Sequence, residues 1–281
     1  MCVLFVNNSI NKKGLKAIVL AALFVLSLMV VAVPSIAAQA SNELHFGKVV
    51  SSSSGTTSST NWAGYVAASS FSSPAHVVTS ITGSWTVQSV SASSSSTYSS
   101  QWIGIGGFFS HDRTLIQTGT ESDYSSGSAQ YSAWYEMLPA AETPISGFTV
   151  SPGDVISSAI VYAGVAPHHS QYWNIYLNDT SQNEHFYIQV TYKSSMLSAE
   201  WIEERPEIGG QLSSLANFGT AYYGADYTSI AGTNYATING VTEPLGALPY
   251  ESITMTTSSG ALYAQPSALT SDGTSFSVTY E

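Results

Sequence analysis

Two polar residues stand inside otherwise apolar, strand-like runs of this sequence. Gln117 lies within LIQTG (115–119), and Glu204 lies within AEWIEERP (199–206). A carboxylate can take a proton from water as a general base, and an amide N–H can stabilise the oxyanion of a tetrahedral intermediate. These two residue types together could cleave a peptide bond without a serine, a cysteine, a metal ion or a pair of aspartates.

The segment around Glu204 carries three carboxylates within five residues. Successive side chains of a strand point to opposite faces of the sheet. Glu200 and Glu204 are therefore predicted to share one face with Ile202, and Glu203 the other face with Trp201. Such a density of acids is costly in a sheet unless one face is wet or functional. The following residue, Arg205, could pair with one of these carboxylates.

The elements that must position these residues are predicted to be strands. Short runs alternate apolar residues with Ser or Thr, are rich in Val, Ile, Tyr and Trp, and are separated by turn signals. No convincing helical run appears after residue 40, and no βα alternation is present. This pattern predicts an antiparallel β-sandwich or barrel. The clearest runs are 83–90, 129–138, 154–163, 172–179, 185–192 and 275–280.

The chain divides into three parts by composition. Residues 1–40 hold three lysines, no acid, an apolar run over 17–33 and small residues before position 40, which predicts a secretory signal peptide. The alternative is a retained anchor, although the run is shorter than the roughly 20 apolar residues of a spanning helix. Residues 41–60 are rich in Ser, Thr and Gly and are predicted to be a linker or short propeptide. Residues 61–281 are long enough for one all-β domain.

Charge restricts the partners of the chain. After residue 40 it keeps four basic residues and all 18 acidic ones, a net charge of −14 with histidine neutral. Nucleic-acid phosphates and anionic membrane surfaces would repel such a protein. With few basic residues there are few ion pairs for acid to break, so we expect tolerance of low pH. We expect secretion, no membrane association once the signal is removed, and a monomer.

Several familiar catalytic patterns are missing from the sequence. The single cysteine, Cys2, falls in the predicted signal peptide, which leaves no disulfide, thiolate nucleophile or cysteine-bound metal after cleavage. His168 and His169 are adjacent, but neither HExxH nor GxSxG occurs. We therefore expect no metal and no cofactor. Asn178 opens an Asn-Asp-Thr glycosylation signal, usable only where the host modifies such sites.

The ordered set of motifs resembles the glutamic peptidases, or eqolisins, which are pepstatin-insensitive acid peptidases. The resemblance extends from about Asn61 to the C-terminus. It implies a β-sandwich of two large antiparallel sheets, of the concanavalin A-like lectin and glucanase type. The strings that carry it are NWAGY (61–65), SWTV (84–87), WIGIGG (102–107), LIQTG (115–119), AWYE (133–136), PGD (152–154) and AEWIEERP (199–206).

The resemblance assigns roles to particular residues. The family's catalytic pair of glutamine and glutamate falls on Gln117 and Glu204, with Glu204 chosen over Glu203 and Glu200 because it stands five positions after the motif's alanine. By the same comparison, the residues implied to shape the cleft and support the pair are Trp62, Trp102, Glu136 and Glu121. Two positions depart from the fungal pattern besides the aspartate-to-glutamate change at Glu121: an acid is replaced by Gly106, and a tyrosine by Leu138.

The implied activity is acid endopeptidase cleavage of protein or peptide substrates, with Glu204 acting on water and Gln117 on the oxyanion. Two alternatives stay open from the residues. A β-sandwich glycoside hydrolase would need two carboxylates about 5–5.5 Å apart if retaining, for which only a cross-strand pair such as Glu136 with Glu204 qualifies. A lectin-like carbohydrate-binding protein would use exposed Trp and Tyr side chains as stacking platforms.

Overall fold

The computed structural model describes residues 49–51 and 56–281, and the predicted signal peptide lies outside them. The described part is almost entirely strand, with one short helix, α1 (Ala225–Thr228), and single 3-10 turns at Pro167–His169 and Leu245–Ala247. The strands are β1 (Val49–Ser51), β2 (Thr56–Ser59), β3 (Trp62–Ala68), β4 (Val78–Thr86), β5 (Ser100–Ile105), β6 (Ile116–Ser125), β7 (Ser128–Met137), β8 (Thr143–Pro144), β9 (Val155–Val165), β10 (Gln171–Asp179), β11 (Glu184–Tyr192), β12 (Ser198–Glu204), β13 (Glu207–Ile208), β14 (Gln211–Leu212), β15 (Thr220–Tyr223), β16 (Tyr235–Ile238), β17 (Val241–Pro244), β18 (Tyr250–Thr256), β19 (Leu262–Pro266) and β20 (Phe276–Tyr280).

The strand pairings form two series that make the two layers of a sandwich. The first layer runs β11–β10–β9–β4–β16–β17. The second runs β8–β7–β6–β5–β12–β3–β18. Strand β15 pairs with both β4 and β20, and β20 is connected through β19 to β18. The layers are therefore joined at one side into a continuous network. The predicted antiparallel all-β sandwich is confirmed.

The main hydrophobic core lies between the two layers. Strand β10 shows the alternation that this arrangement requires: Trp173, Ile175 and Leu177 are buried, and the side chains between them are partly exposed. The first layer is thus apolar on one face and solvated on the other, as is usual for an antiparallel sheet. Trp201 of β12 reaches into this core from the second layer.

The second layer differs because its central strands are buried on both faces. All seven residues of β3, all six of β5 and all seven of β12 are buried. Its outer face, turned away from the main core, carries a separate apolar cluster that includes Trp62, Trp102, Trp134 and Ile202. Both sequence-predicted candidate residues, Gln117 and Glu204, lie on this outer face.

Strand boundaries differ from the sequence-based expectation in two places. The run predicted over 83–90 is strand β4 over Val78–Thr86, which ends where its partner begins, since Thr86 pairs with Val155, the first residue of β9. The segment 41–60, expected to be a linker or propeptide, contributes β1 and β2, and β2 runs parallel to β18. Among the described residues, no helix is long and apolar enough to cross a membrane.

Candidate active site

Strand register arranges the outer face of the second layer in rows. One row runs Val66, Glu200, Gly104, Gln117, Glu136 across β3, β12, β5, β6 and β7. Four residues along β12, another row runs Trp62, Glu204, Ser100, Glu121. Trp102 lies in the row between them. The structure therefore brings all six sequence-predicted site residues onto one face.

Glu204 is fully buried, and each of its carboxylate oxygens accepts a hydrogen bond from a neutral N–H group. The indole Nε1 of Trp102 donates to Oε2 at 2.7 Å, and the amide Nδ2 of Asn61 donates to Oε1 at 3.0 Å. Hydrogen bonds to the charged form of a carboxylic acid favour that form. Asn61 is itself fixed, because its Oδ1 accepts from the hydroxyl of Ser59 at 3.0 Å.

Gln117 and Glu136 form the second half of the site. They face each other across β6 and β7, and Gln117 Nε2 donates to Glu136 Oε2 at 2.5 Å. This contact uses one of the two N–H bonds of the amide and fixes which way the amide points. Gln117 Oε1 is buried and accepts no hydrogen bond from the described part of the chain. A buried polar atom without a partner marks a place for a water molecule or ligand.

The indole of Trp102 spans the interval between the two halves. Its Nε1 contacts Glu204, and its ring atom Cζ3 lies 2.9 Å from the position that a Cβ atom on Gly104 would occupy. The Cβ of Gln117 lies 3.3 Å from that same position. Only glycine leaves room for the indole at residue 104. Trp62 packs edge-on against Trp102, with ring centroids 5.1 Å apart and an interplanar angle of 77°.

Trp62 and Glu121 occupy the two ends of the Glu204 row. Trp62 pairs directly with Glu204 across β3 and β12, and its Nε1 is buried without a hydrogen bond to any described residue. Glu121 is partly buried, and its Oε2 accepts from the Ser132 hydroxyl at 3.2 Å. Ser100 separates Glu121 from Glu204 in the register.

The departure at Gly106 has a structural explanation. Gly106 has a φ of +94°, and a Cβ atom there would lie 2.5 Å from the carbonyl oxygen of Thr114, so no larger residue fits this backbone. The carboxylate of Asp112 lies 3.2 Å from the same position. It accepts from the Gly107 N–H at 2.9 Å and from the Ser195 hydroxyl, which ties the loop after β5 to the segment before β12.

The other two acids of β12 have surroundings unlike those of Glu204. Glu203 points into the main core, where it accepts from Gln88 Nε2 at 2.8 Å and from the Tyr223 hydroxyl at 3.3 Å. Burial raises the pKa of Glu203 well above its usual value, and the neighbouring Glu204 adds to the effect.

Glu200 shares the outer face with Glu204. Neither of its oxygens makes a hydrogen bond of good geometry within the described chain. Burial raises the pKa of Glu200 well above its usual value, and the Ser198 hydroxyl and the Gly106 N–H offset only part of this.

Sequence reasoning missed two features of the site. One is the contact of Asn61 with Glu204: the sequence presents Asn61 only as part of the NWAGY string, and no local signal distinguishes it from an ordinary loop amide. The other is the position of the Arg205 guanidinium, which lies over the ring of Tyr263, 4.9 Å from the centroid. The described residues contain no group of three or more His, Cys, Asp or Glu side chains that could hold a metal ion.

Comparisons with known proteins identify the class to which this β-sandwich belongs. The model of the Peptidase A4 family matches residues 60–280. The chain belongs to this family.

Individual relatives are distant. Aspergillopepsin-2 of Aspergillus niger is 29% identical over 184 residues, which cover 59% of this chain and 62% of that protein. The chain thus aligns with less than two thirds of this curated relative.

Two solved structures share the fold. Scytalido-glutamic peptidase, determined with a transition state analog inhibitor, superposes with a TM-score of 0.62 at 22% identity, covering 79% of this chain and 98% of that one. Aspergilloglutamic peptidase from Aspergillus niger superposes with a TM-score of 0.54 at 25% identity, covering 66% of this chain and 99% of that one.

Proposed function

We propose that the protein is a secreted, acid-active glutamic endopeptidase that cleaves protein or peptide substrates with Gln117 and Glu204. The observation that carries this proposal is the pairing of each residue with its own partners on one buried face. Glu204 is held by Trp102 and Asn61, and Gln117 is held by Glu136. Membership of a peptidase family supports the class of substrate.

Glu204 acts first as general base. It takes a proton from a water molecule that attacks the carbonyl carbon of the scissile bond, and it then gives the proton to the leaving amine. The N–H groups of Trp102 and Asn61 stabilise the ionised carboxylate before it takes the proton and after it has given the proton up, and they keep it pointed at the same place. Both donors are neutral and do not titrate in acid, so the arrangement survives at low pH.

Gln117 stabilises the oxyanion. The Nε2 N–H that does not contact Glu136 donates to the negatively charged oxygen of the tetrahedral intermediate, while Oε1 accepts from the attacking water. Glu136 positions the amide by accepting the other N–H. By register Gln117 lies opposite Glu200 across Gly104, two strands and four residues from Glu204, so the water and the scissile peptide group must span the interval beside the Trp102 indole. Trp62, with its unpaired Nε1, supplies a further donor on the same side.

Buried carboxyl groups support an acidic working range. Burial raises the pKa of Asp179 as well as those of Glu200 and Glu203, and Asp154 beside Asp179 adds to the shift there. Each of these groups binds its proton more tightly in the folded protein than in the unfolded chain. Their protonation therefore stabilises the fold in acid, and this contribution is lost as pH rises through the folded-state pKa.

The register disfavours the glycoside hydrolase alternative. Glu200 and Glu204 stand four residues apart on one strand, about 13 Å along the backbone. Glu136 is three strands away from Glu204, which alone separates their backbones by about 14 Å. Its Oε2 is also committed to Gln117. Carboxyl pairs of glycosidases are about 5–5.5 Å apart in retaining enzymes and about 6.5–9.5 Å apart in inverting enzymes.

The test is cleavage of an unfolded protein substrate across acid to neutral pH with pepstatin present. We expect acid-optimal cleavage by the wild-type protein that pepstatin does not inhibit. Glu204→Gln and Gln117→Ala should each lose activity by a factor of about 10² or more while keeping the circular dichroism spectrum of the fold. Near wild-type rates in either variant would refute the proposed pair. Glycan binding without any proteolysis would favour the lectin-like alternative.

A further inference from the structure

The proposed catalytic groups are closed off in this structure. Gln117, Glu204 and Trp102 each have none of their surface exposed, and Glu136 and Trp62 have 1%. A peptide cannot reach them unless something covering the outer face moves. The residues that cover the outer face belong to the same apolar cluster as the Trp102 indole. The side chains of that cluster therefore decide which substrate side chains can enter the site.

Three phenylalanines lie together at the edge of this cluster. Phe108 is buried within it, and Phe71 and Phe109 are its partly exposed members. They come from two loops, 69–77 between β3 and β4 and 106–115 between β5 and β6. Their ring centroids are 5.8 Å apart for Phe71 and Phe108, 6.2 Å for Phe71 and Phe109, and 5.2 Å for Phe108 and Phe109.

The base of the second loop is held by the Asp112 carboxylate, and its aromatic end by ring contacts and by the Asp112 N–H, which donates to the Phe109 carbonyl oxygen at 2.8 Å. Gly107 lies against the site, because a Cβ atom there would be 3.5 Å from the Trp62 ring and 3.3 Å from Leu115 Cβ. The Asp112 carboxylate holds the Gly107 N–H at 2.9 Å and the Thr114 N–H at 2.9 Å. The rings of Phe108 and Phe109 can therefore part from Phe71 without displacing the backbone that packs on Trp62.

We propose that Phe71, Phe108 and Phe109 form the subsite for a bulky apolar side chain of the substrate next to the scissile bond. This inference rests on the proposed peptidase function and adds the specificity of the same site. A substrate ring or branched aliphatic chain enters between the two loops and replaces the contacts that the three rings make with one another. A small or charged substrate side chain cannot replace these ring contacts, so the two loops stay closed when such a side chain approaches.

The first arm of the test maps cleavage sites in an unfolded protein by mass spectrometry. We expect the wild-type enzyme to cut beside Phe, Leu, Tyr, Trp or Met. Two peptides are then compared that differ only in having Phe or Ala at the enriched position. Phe108→Ala should lower kcat/KM for the Phe peptide by about tenfold or more and for the Ala peptide by about twofold at most. If Phe108→Ala fails to fold, Phe71→Leu and Phe109→Leu should lower the same preference more weakly.

The matched control is Phe186→Ala. Phe186 is also partly exposed and stacks on Tyr135, with centroids 5.6 Å apart, but it belongs to the main core rather than to the site. Its removal should leave the preference ratio unchanged. If Phe108→Ala lowered kcat/KM equally for both peptides, the three rings would be a lid without selectivity. That result would overturn the proposed subsite. Absence of cleavage by the wild-type protein at every pH would instead overturn the proposed function itself.

Discussion

Glu203 and Glu204 are neighbours in sequence and lie on opposite faces of one strand. Glu204 lies on the outer face, and two neutral N–H groups donate to its two oxygens. Glu203 lies in the main core, where a glutamine and a tyrosine hold it and burial raises its pKa. The comparison shows that the hydrogen-bonding groups around a buried carboxyl determine whether it is suited to acid–base chemistry.

The two faces also differ in what surrounds the carboxyl. The Glu204 face includes four buried polar atoms with no hydrogen bond inside the described chain: Gln117 Oε1, Trp62 Nε1 and both carboxylate oxygens of Glu200. The Glu203 face includes such atoms too, Gln88 Oε1 and Gln101 Nε2. The Glu203 face is occupied by the main core, and Tyr223 spans from Glu203 to the backbone carbonyl of Ile202 at 2.9 Å. We therefore assign chemistry to the outer face and acid-dependent stability to the inner one.

The largest expected effect among the supporting residues is that of Trp102→Phe. The substitution keeps an aromatic ring over Gly104 and removes the N–H that Glu204 accepts at 2.7 Å. A hydrogen bond to a charged group contributes about 1.5–3 kcal/mol, so kcat should fall by about 10- to 100-fold with KM little changed. Steady-state kinetics on one peptide across acidic pH measures this. An unchanged kcat would mean that the indole only packs.

A smaller loss is expected for Asn61→Ala. The Nδ2 of Asn61 donates to Glu204 over a longer distance, 3.0 Å, and the variant leaves the Trp102 contact in place. Because it is longer, this hydrogen bond should contribute at the low end of the range of about 1.5–3 kcal/mol for a charged acceptor, so kcat/KM should fall by about tenfold. The double variant Asn61→Ala/Trp102→Phe tests whether the two donors act together. Losses that multiply without coupling would contradict a shared role in holding one carboxylate.

For Glu203, on the inner face, we predict an effect on the stability of the fold with little effect on the rate of cleavage. The wild-type protein should be more stable to urea at acidic pH than at neutral pH, because Glu203, Glu200 and Asp179 must give up tightly bound protons as pH rises. Glu203→Gln should flatten this dependence, since glutamine keeps the shape and does not ionise. Urea midpoints of the wild-type protein and the variant at several pH values provide the measurement. The control is the cleavage rate of the variant, which should match that of the wild-type protein. A steeper dependence in the variant would contradict the raised pKa.

Alternation along single strands could be predicted from the sequence. The assignment of Glu200, Ile202 and Glu204 to one face of β12, and of Trp201 and Glu203 to the other, is confirmed by the two clusters to which their apolar neighbours belong. Period-two geometry is local, so it needs no knowledge of partners.

Contacts between distant strands could not be predicted in the same way. The Asn61–Glu204 contact joins residues 143 positions apart, and nothing local to Asn61 distinguishes it from an ordinary loop amide. The placement of Arg205 over Tyr263 depends on the order of strands around the second layer. The Asp112 carboxylate beside Gly106 arises from the path of a loop, which alternation does not determine. The roles of Gln117 and Glu204 came from the resemblance, and they remain predictions.

The central claim is that Glu204, and neither of the other two acids of β12, is the base. The most direct test measures kcat/KM at acidic pH for Glu200→Gln, Glu203→Gln and Glu204→Gln, each checked for its fold by circular dichroism. Each variant replaces one carboxyl by an amide of the same size on the same strand. The account predicts a loss of about 10³-fold or more in Glu204→Gln and less than about tenfold in the other two. Activity retained in Glu204→Gln, with loss in Glu200→Gln or Glu203→Gln, would contradict it.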